Sequence, residues 1–156
     1  PNSFNIDSLK HVDKYENFFD IIFTNPPFGT KAKIIDKEIL QNFDLGYFWN
    51  DNSSDFKPSD NLRKNQTPEI LFIEVCEKLL KPGGKVVIVL PNGILENSSL
   101  RYVREFILNK FNVISVVQLP QETFSPTGTG INTSVVILQK KDVRKKQQKR
   151  PWKVRS

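Results

Sequence analysis

Two short apolar runs in this chain each stop at proline, and together they dictate a layered α/β fold. Phe19-Asp20-Ile21-Ile22-Phe23-Thr24 is aromatic and β-branched, and it ends at Asn25-Pro26-Pro27. Such residues suit a pleated, half-buried surface, and proline halts the ladder by removing a donor. Val86-Val87-Ile88-Val89-Leu90 is unbroken and stops at Pro91. A run without polar alternation is what a strand shows when both of its faces are covered. Glu69 to Leu80, between the two, spaces Ile70, Ile73, Cys76, Leu79 and Leu80 along one helical face. Thr67 is the expected N-cap and Pro68 the first helical residue. Lys81-Pro82-Gly83-Gly84 follows a helix and precedes a strand, the wrong order for a phosphate cradle, so it reads as a helix-capping turn.

A second helix is expected over Ser99 to Lys110, with Leu100, Val103, Phe106, Ile107 and Phe111 inward. Val113 to Leu119 and Thr133 to Gln139 read as two further strands. Pro120 to Asn132, which joins them and contains Gly128-Thr129-Gly130, has no helical pattern, so the two strands should be antiparallel neighbours. The resulting order is an α/β layer with a mostly parallel sheet and a final antiparallel strand pair. Thr30 to Gln66 differs. Between Asp44 and Asp60 it is crowded with Asn, Asp, Ser and aromatic residues and shows little periodicity. It reads as a long irregular insertion, functional or mobile, at the strand end where α/β sheets bind ligands.

At 156 residues the chain suits one domain. Its net charge of +6 is uneven: nine basic residues from Lys140 onward face one acid, Asp142, and the remainder carries 14 basic and 16 acidic groups. The body is near neutral and the tail basic, a solvated run or a phosphate-binding one. One cysteine, Cys76, and one histidine, His11, exclude an internal disulfide framework and a His/Cys zinc cluster. Cys76 should be core and His11 surface. The N-terminus lacks a basic-then-apolar signal and no run is long enough to span a bilayer, so a cytoplasmic protein without a membrane partner is expected. The absence of methionine points to an excised domain.

The segment Asn25-Pro26-Pro27-Phe28 carries the chemistry. Each proline fixes its own φ and holds the residue before it extended. One reading is a turn with Phe28 in the core. The other is a rigid platform that aims the Asn25 amide oxygen and the Pro26 carbonyl at one small target, with Phe28 as a flat apolar wall. Its position at the end of a buried strand favours the platform.

Phe19 to Gly29 resembles the catalytic motif of N6-adenine DNA methyltransferases. The similarity is greatest to the modification subunits of type I restriction systems and to fused restriction–modification enzymes. Further blocks follow in the family's order: Glu69-Ile70-Leu71-Phe72-Ile73-Glu74, Leu80 to Lys85, Ile88 to Gly93, Leu119-Pro120 to Phe124, and Gly130 to Thr133. The resemblance covers roughly residues 3 to 140. It implies the C-terminal half of a Rossmann-like sheet, with S-adenosylmethionine as cofactor and double-stranded DNA with a flipped adenine as substrate. It also implies specificity and restriction subunits as partners. Asn25, Pro26, Pro27 and Phe28 would be catalytic, and Asp7 and Asn25 would border the cofactor. Asp7, in Ile6-Asp7-Ser8-Leu9, is otherwise a polar turn residue. The organisation implied is a partial catalytic domain over 1–140 and a basic tail or linker over 141–156.

The chain departs from the family in one respect. No glycine precedes Gly29, so the glycine-rich cofactor loop is absent, as is any target-recognition domain. Two other expectations stand beside the first. Methyltransferases of ribosomal RNA guanine N2 or of protein glutamine share Asn-Pro-Pro with an aromatic residue, though with a shorter connection after it. A truncated, inert binding module is the third.

Overall fold

The computed structural model describes residues 9–29, 33–50, 56–121, 123 and 131–142. Asp7, Phe124, Gly128-Thr129-Gly130 and most of the basic tail lie outside the described residues. In chain order the elements are β1 (Phe19–Thr24), α1 (Lys37–Leu40), β2 (Tyr47–Trp49), β3 (Pro58–Leu62), α2 (Pro68–Leu79) and β4 (Leu80–Pro91), then α3 (Asn92–Glu96), α4 (Arg101–Lys110), β5 (Phe111–Gln118) and β6 (Thr133–Lys140). Short 3-10 turns occupy Val12–Tyr15, Asp44–Gly46 and Ser98–Leu100.

The main sheet has the order β1-β4-β6-β5. β1 runs parallel to β4, with Ile22 opposite Val86 and Thr24 opposite Ile88. The antiparallel pair expected from the sequence is β5–β6, and β6 inserts between β4 and β5, so it is antiparallel to both. One face of the sheet holds Val86, Ile88, Leu90, Val136 and Leu138, all buried against the side that α2 and α4 cover. Ile70, Leu71, Ile73, Val75 and Cys76 supply α2's share, and Val103, Phe106 and Ile107 that of α4. Each such side chain contributes about 1.5–3 kcal/mol on removal from water. Cys76 is core as expected, its thiol pushed up to about 12 by burial, and His11 is exposed.

The opposite face is left open. Registry places Ile21, Phe23, Val87, Val89, Val135, Ile137 and Val117 together there. Phe23 is 76% exposed, Ile21 57% and Val117 51%. β1 is also an edge strand among the described residues.

One local expectation holds in position only, and another is corrected. Thr67 does occupy the N-cap of α2, with Pro68 next, but its hydroxyl makes no capping bond and is buried without a hydrogen-bond partner among the described residues. Nor does Lys81-Pro82-Gly83-Gly84 cap the helix, which leaves directly through Leu80 in extended conformation. Those residues instead form a bulge at the start of β4: between the pairs Phe19–Leu80 and Ile21–Lys85, β1 advances two residues and β4 five. Gly83 supplies the positive φ (+84°) that the bulge needs. A Cβ on Gly84 would come within 2.9 Å of the Lys81 carbonyl oxygen and 3.1 Å of that of Asp20. The end of α2 is held by a cation instead. The Lys140 ammonium donates to the carbonyls of Glu77 and Leu80 at 2.6 and 3.0 Å and lies 3.3 Å from the Glu77 carboxylate. A positive charge there also complements the helix dipole.

The insertion is more structured than its composition suggests. Ile34 and Gln66 bridge its neck, and α1, the Asp44–Gly46 turn and the β2–β3 hairpin build on it. Ile39, Leu40, Phe43 and Leu45 are buried within it. Elements of three to five residues are too short to display a period, which is why the sequence reads as irregular. Among the described residues no helix is long and apolar enough to cross a membrane.

Candidate active site

β1 and β4 point the same way, so everything that follows their C-terminal ends gathers at one end of the sheet. Asn25 to Phe28 follows β1 there, and Asn92-Gly93 follows β4. Asn25 is exposed, Pro26 buried, Pro27 exposed and Phe28 half-buried. The buried ring of Pro26 anchors the segment while its neighbours face outward. Among the described residues no hydrogen bond ties up the Asn25 amide. Gly29 follows with φ +100°, a conformation that favours glycine. On the neighbouring strands, the Asn92 N–H donates to the Asn132 carbonyl at 2.8 Å, and the Ser134 hydroxyl donates to Asn92 Oδ1 at 2.8 Å. These bonds fix the ends of β4 and β6 beside the platform.

The structure therefore brings Asn25, Pro26, Pro27 and Phe28 together as one rigid, partly exposed segment. Asp7, the other sequence candidate, lies outside the described residues.

The insertion is fastened over this end by buried polar contacts that the sequence did not reveal. Glu74, 3% exposed on α2, accepts the backbone N–H of Asp44 and of Leu45, each at 2.9 Å. Gln66 Nε2 donates to the Leu45 carbonyl at 2.7 Å and to the Tyr102 hydroxyl at 2.9 Å, linking the insertion to α4. The available signal for Glu74 is a charged residue four positions after Ile70, on an otherwise apolar helical face. Burial pushes its carboxyl up to about 7; the two backbone N–H bonds pull the other way without cancelling the desolvation.

That shift has a sign. The folded pKa exceeds the unfolded value of 4.5, so the stabilisation linked to Glu74 is full below about pH 4.5 and is lost as pH rises through about 7. Once intrinsic exchange rates are corrected, hydrogen-exchange protection of the Asp44 and Leu45 amides should fall on the order of a hundredfold between pH 5 and pH 8. Glu74→Gln should flatten this dependence. A wild-type profile already flat would show that Glu74 does not titrate on opening.

Sequence reasoning also missed a cleft of about 270 Å³ lined by Phe48, Trp49, Phe56, Arg63, Arg101 and Tyr102, with Ser98 and Ser99 at its rim. Trp49 joins a cluster with Phe56, Tyr102 and Phe106, whereas Phe48 remains 49% exposed. Interleaving of basic and aromatic residues is the signal that could have found the cleft.

Comparison with known proteins accords with this geometry. The chain is 27% identical over 133 residues to the methylase subunit of the Escherichia coli type I restriction enzyme EcoEI, covering 84% of this chain and 23% of that protein. A solved chain from a type I restriction–modification complex superposes with a TM-score of 0.65 at 26% identity, over 90% of this chain and 25% of its own length. The same fold occurs in a Listeria monocytogenes protein assigned to the class I S-adenosylmethionine-dependent methyltransferases, at 23% identity and TM-score 0.58, over 86% and 34% of the two chains. The chain thus spans between 23% and 34% of these longer relatives. Residues 2–151 match the N-6 DNA Methylase family model, and the chain belongs to that family.

Proposed function

We propose that this chain is the catalytic, base-holding part of a DNA methyltransferase that modifies the N6 amine of adenine in a restriction–modification system. The observation that carries the reading is the Asn25-Pro26-Pro27-Phe28 platform, whose exposed amide stands at the C-terminal end of β1; that strand, expected to be buried, is instead an exposed edge strand among the described residues. An enzyme that acts on a base must take it out of the stack. Phe28 offers the flat face for the flipped adenine. Asn25 Oδ1 and the Pro26 carbonyl accept the two N–H bonds of the amine and favour its tetrahedral, cationic form. These bonds strengthen as charge develops on nitrogen, so they lower the barrier rather than merely bind substrate.

Family and fold imply S-adenosylmethionine as cofactor, which supplies an electrophilic methyl group. The residues present fit the acceptor side of such a site. They do not form its cradle: Gly46 and Gly84 are used against the chain's own carbonyls, and among the described residues no glycine-rich turn lines the strand ends. Asp7, and residues of a longer protein, would hold the cofactor. Specificity and restriction subunits are the expected partners, in the cytoplasm.

Methyl transfer by the full-length protein to duplex DNA, ribosomal RNA and a glutamine-bearing protein, measured side by side, tests the reading. Label in DNA alone is expected. Label only in RNA or protein would overturn it. Phe28→Ala should weaken binding to a duplex with an unpaired target by roughly tenfold, given base–aromatic stacking of about 1–3 kcal/mol. Phe28→Tyr or Phe28→Trp should retain it. Fluorescence of 2-aminopurine at the target position reports the stack, and a signal indifferent to Phe28→Ala would assign Phe28 to the core.

A further inference from the structure

We infer that the cleft between the β2–β3 hairpin and the start of α4 is a second nucleic-acid contact, which grips a backbone phosphate of the DNA. This inference rests on the function proposed above. Arg63 is its centre. Its guanidinium lies 4.5 Å from the Phe48 ring centroid and 4.2 Å from that of Tyr102. Its Nε donates to the Tyr47 carbonyl at 2.9 Å. Two rings and one carbonyl thus hold the guanidinium in place at the wall of the cleft. Among the described residues no acid lies within ion-pair distance of Arg63. A half-buried guanidinium at the wall of a cleft favours an anionic ligand.

The opposite wall supplies matching chemistry. Arg101 sits 5.0 Å from the Phe56 ring, with its side chain 56% exposed and Glu105 3.5 Å away on the outer side of the helix turn. Ser98 and Ser99 line the rim. Two guanidiniums and two hydroxyls around one opening suit a phosphate, which Arg binds through paired N–H bonds. At about 270 Å³ the cleft is just below the roughly 300–1,000 Å³ of sites for whole drug-sized ligands, so it suits one group of a larger molecule.

Position completes the argument. The hairpin lies in the connection that leaves the C-terminal end of β1, and Ser98 to Tyr102 lie just beyond the C-terminal end of β4. The cleft therefore opens at the same end of the sheet as Asn25. A strand whose base occupies the Asn25 platform has its neighbouring phosphates at that end.

The test is the salt dependence of binding of fluorescein-labelled duplex DNA to the full-length protein. Each phosphate contact adds about 0.7–0.9 to the slope of log affinity against log salt, so Arg63→Gln and Arg101→Gln should each flatten it by about that much and weaken binding several-fold at low salt. Trp49 emission reports whether the hairpin survives. If Arg63→Gln alters that emission, Arg101→Gln decides the matter, since its exposed ion pair contributes little to stability. A wild-type slope in Arg101→Gln, or in Arg63→Gln with unchanged emission, overturns the inference. If such variants bind normally while the wild type methylates adenine in DNA, the proposed function survives and only the cleft is wrong. If the wild type binds no DNA, both fail.

Discussion

Asn25→Ala in the full-length protein is expected to lower methyl transfer about 10²–10³-fold, the usual loss when one preorganised partner of a developing charge is removed. S-adenosylmethionine binding should be largely unchanged. The reason lies in when the bond forms. A neutral aromatic amine donates only weakly to Asn25 Oδ1 in the ground state, whereas the nitrogen that attacks the methyl carbon becomes tetrahedral and cationic, and so a stronger donor. The exposed side chain and the adjoining buried Pro26 mean that truncation removes the acceptor without collapsing the segment. Single-turnover transfer of labelled methyl, with calorimetric titration of the cofactor, separates the two effects. Near-normal turnover in Asn25→Ala would end the mechanism.

The second large effect concerns the 156-residue chain taken alone. It should methylate nothing, bind S-adenosylmethionine very weakly and self-associate. A cofactor of this type lies across the strand ends at the switch point of the sheet. It also needs the close backbone approach that glycine permits. Gly29 is the first glycine in the chain, and it follows the Asn25–Phe28 segment at the end of β1. The open face bearing Ile21, Phe23 and Val117, together with the edge strand β1, gives association a surface and a ladder. Titration with S-adenosylmethionine and light scattering of the purified chain check both halves. Micromolar binding by a monodisperse monomer would contradict the account.

The sheet was legible because its strands announce themselves. Val86 to Leu90 reads as a strand from its unbroken apolar run, although among the described residues only the face bearing Val86, Ile88 and Leu90 is covered, and the lack of a helical pattern between β5 and β6 points to their antiparallel pairing. The segment Asn25 to Phe28, proposed above as catalytic, stood out too, since two consecutive prolines restrict the backbone whatever surrounds them. What escaped reading depends on contacts distant in sequence. Glu74 meets Asp44 and Leu45 across the fold, and Gln66 meets Tyr102. Arg63 is placed by rings on two different elements. Gly83-Gly84 was misread for a related reason: the demand for a positive φ is visible locally, but whether it serves a helix cap or a strand bulge depends on where β1 pairs.

The central claim is that the platform delivers a methyl group to an exocyclic adenine nitrogen, and the most direct measurement is the identity of the methylated atom. Duplex DNA incubated with the full-length protein and isotopically labelled S-adenosylmethionine, then digested to nucleosides, resolves the products by mass and retention. The account predicts label in N6-methyladenine and its loss with Asn25→Ala. Label in a methylated cytosine, or the same N6-methyladenine yield from the Asn25→Ala protein, would contradict it.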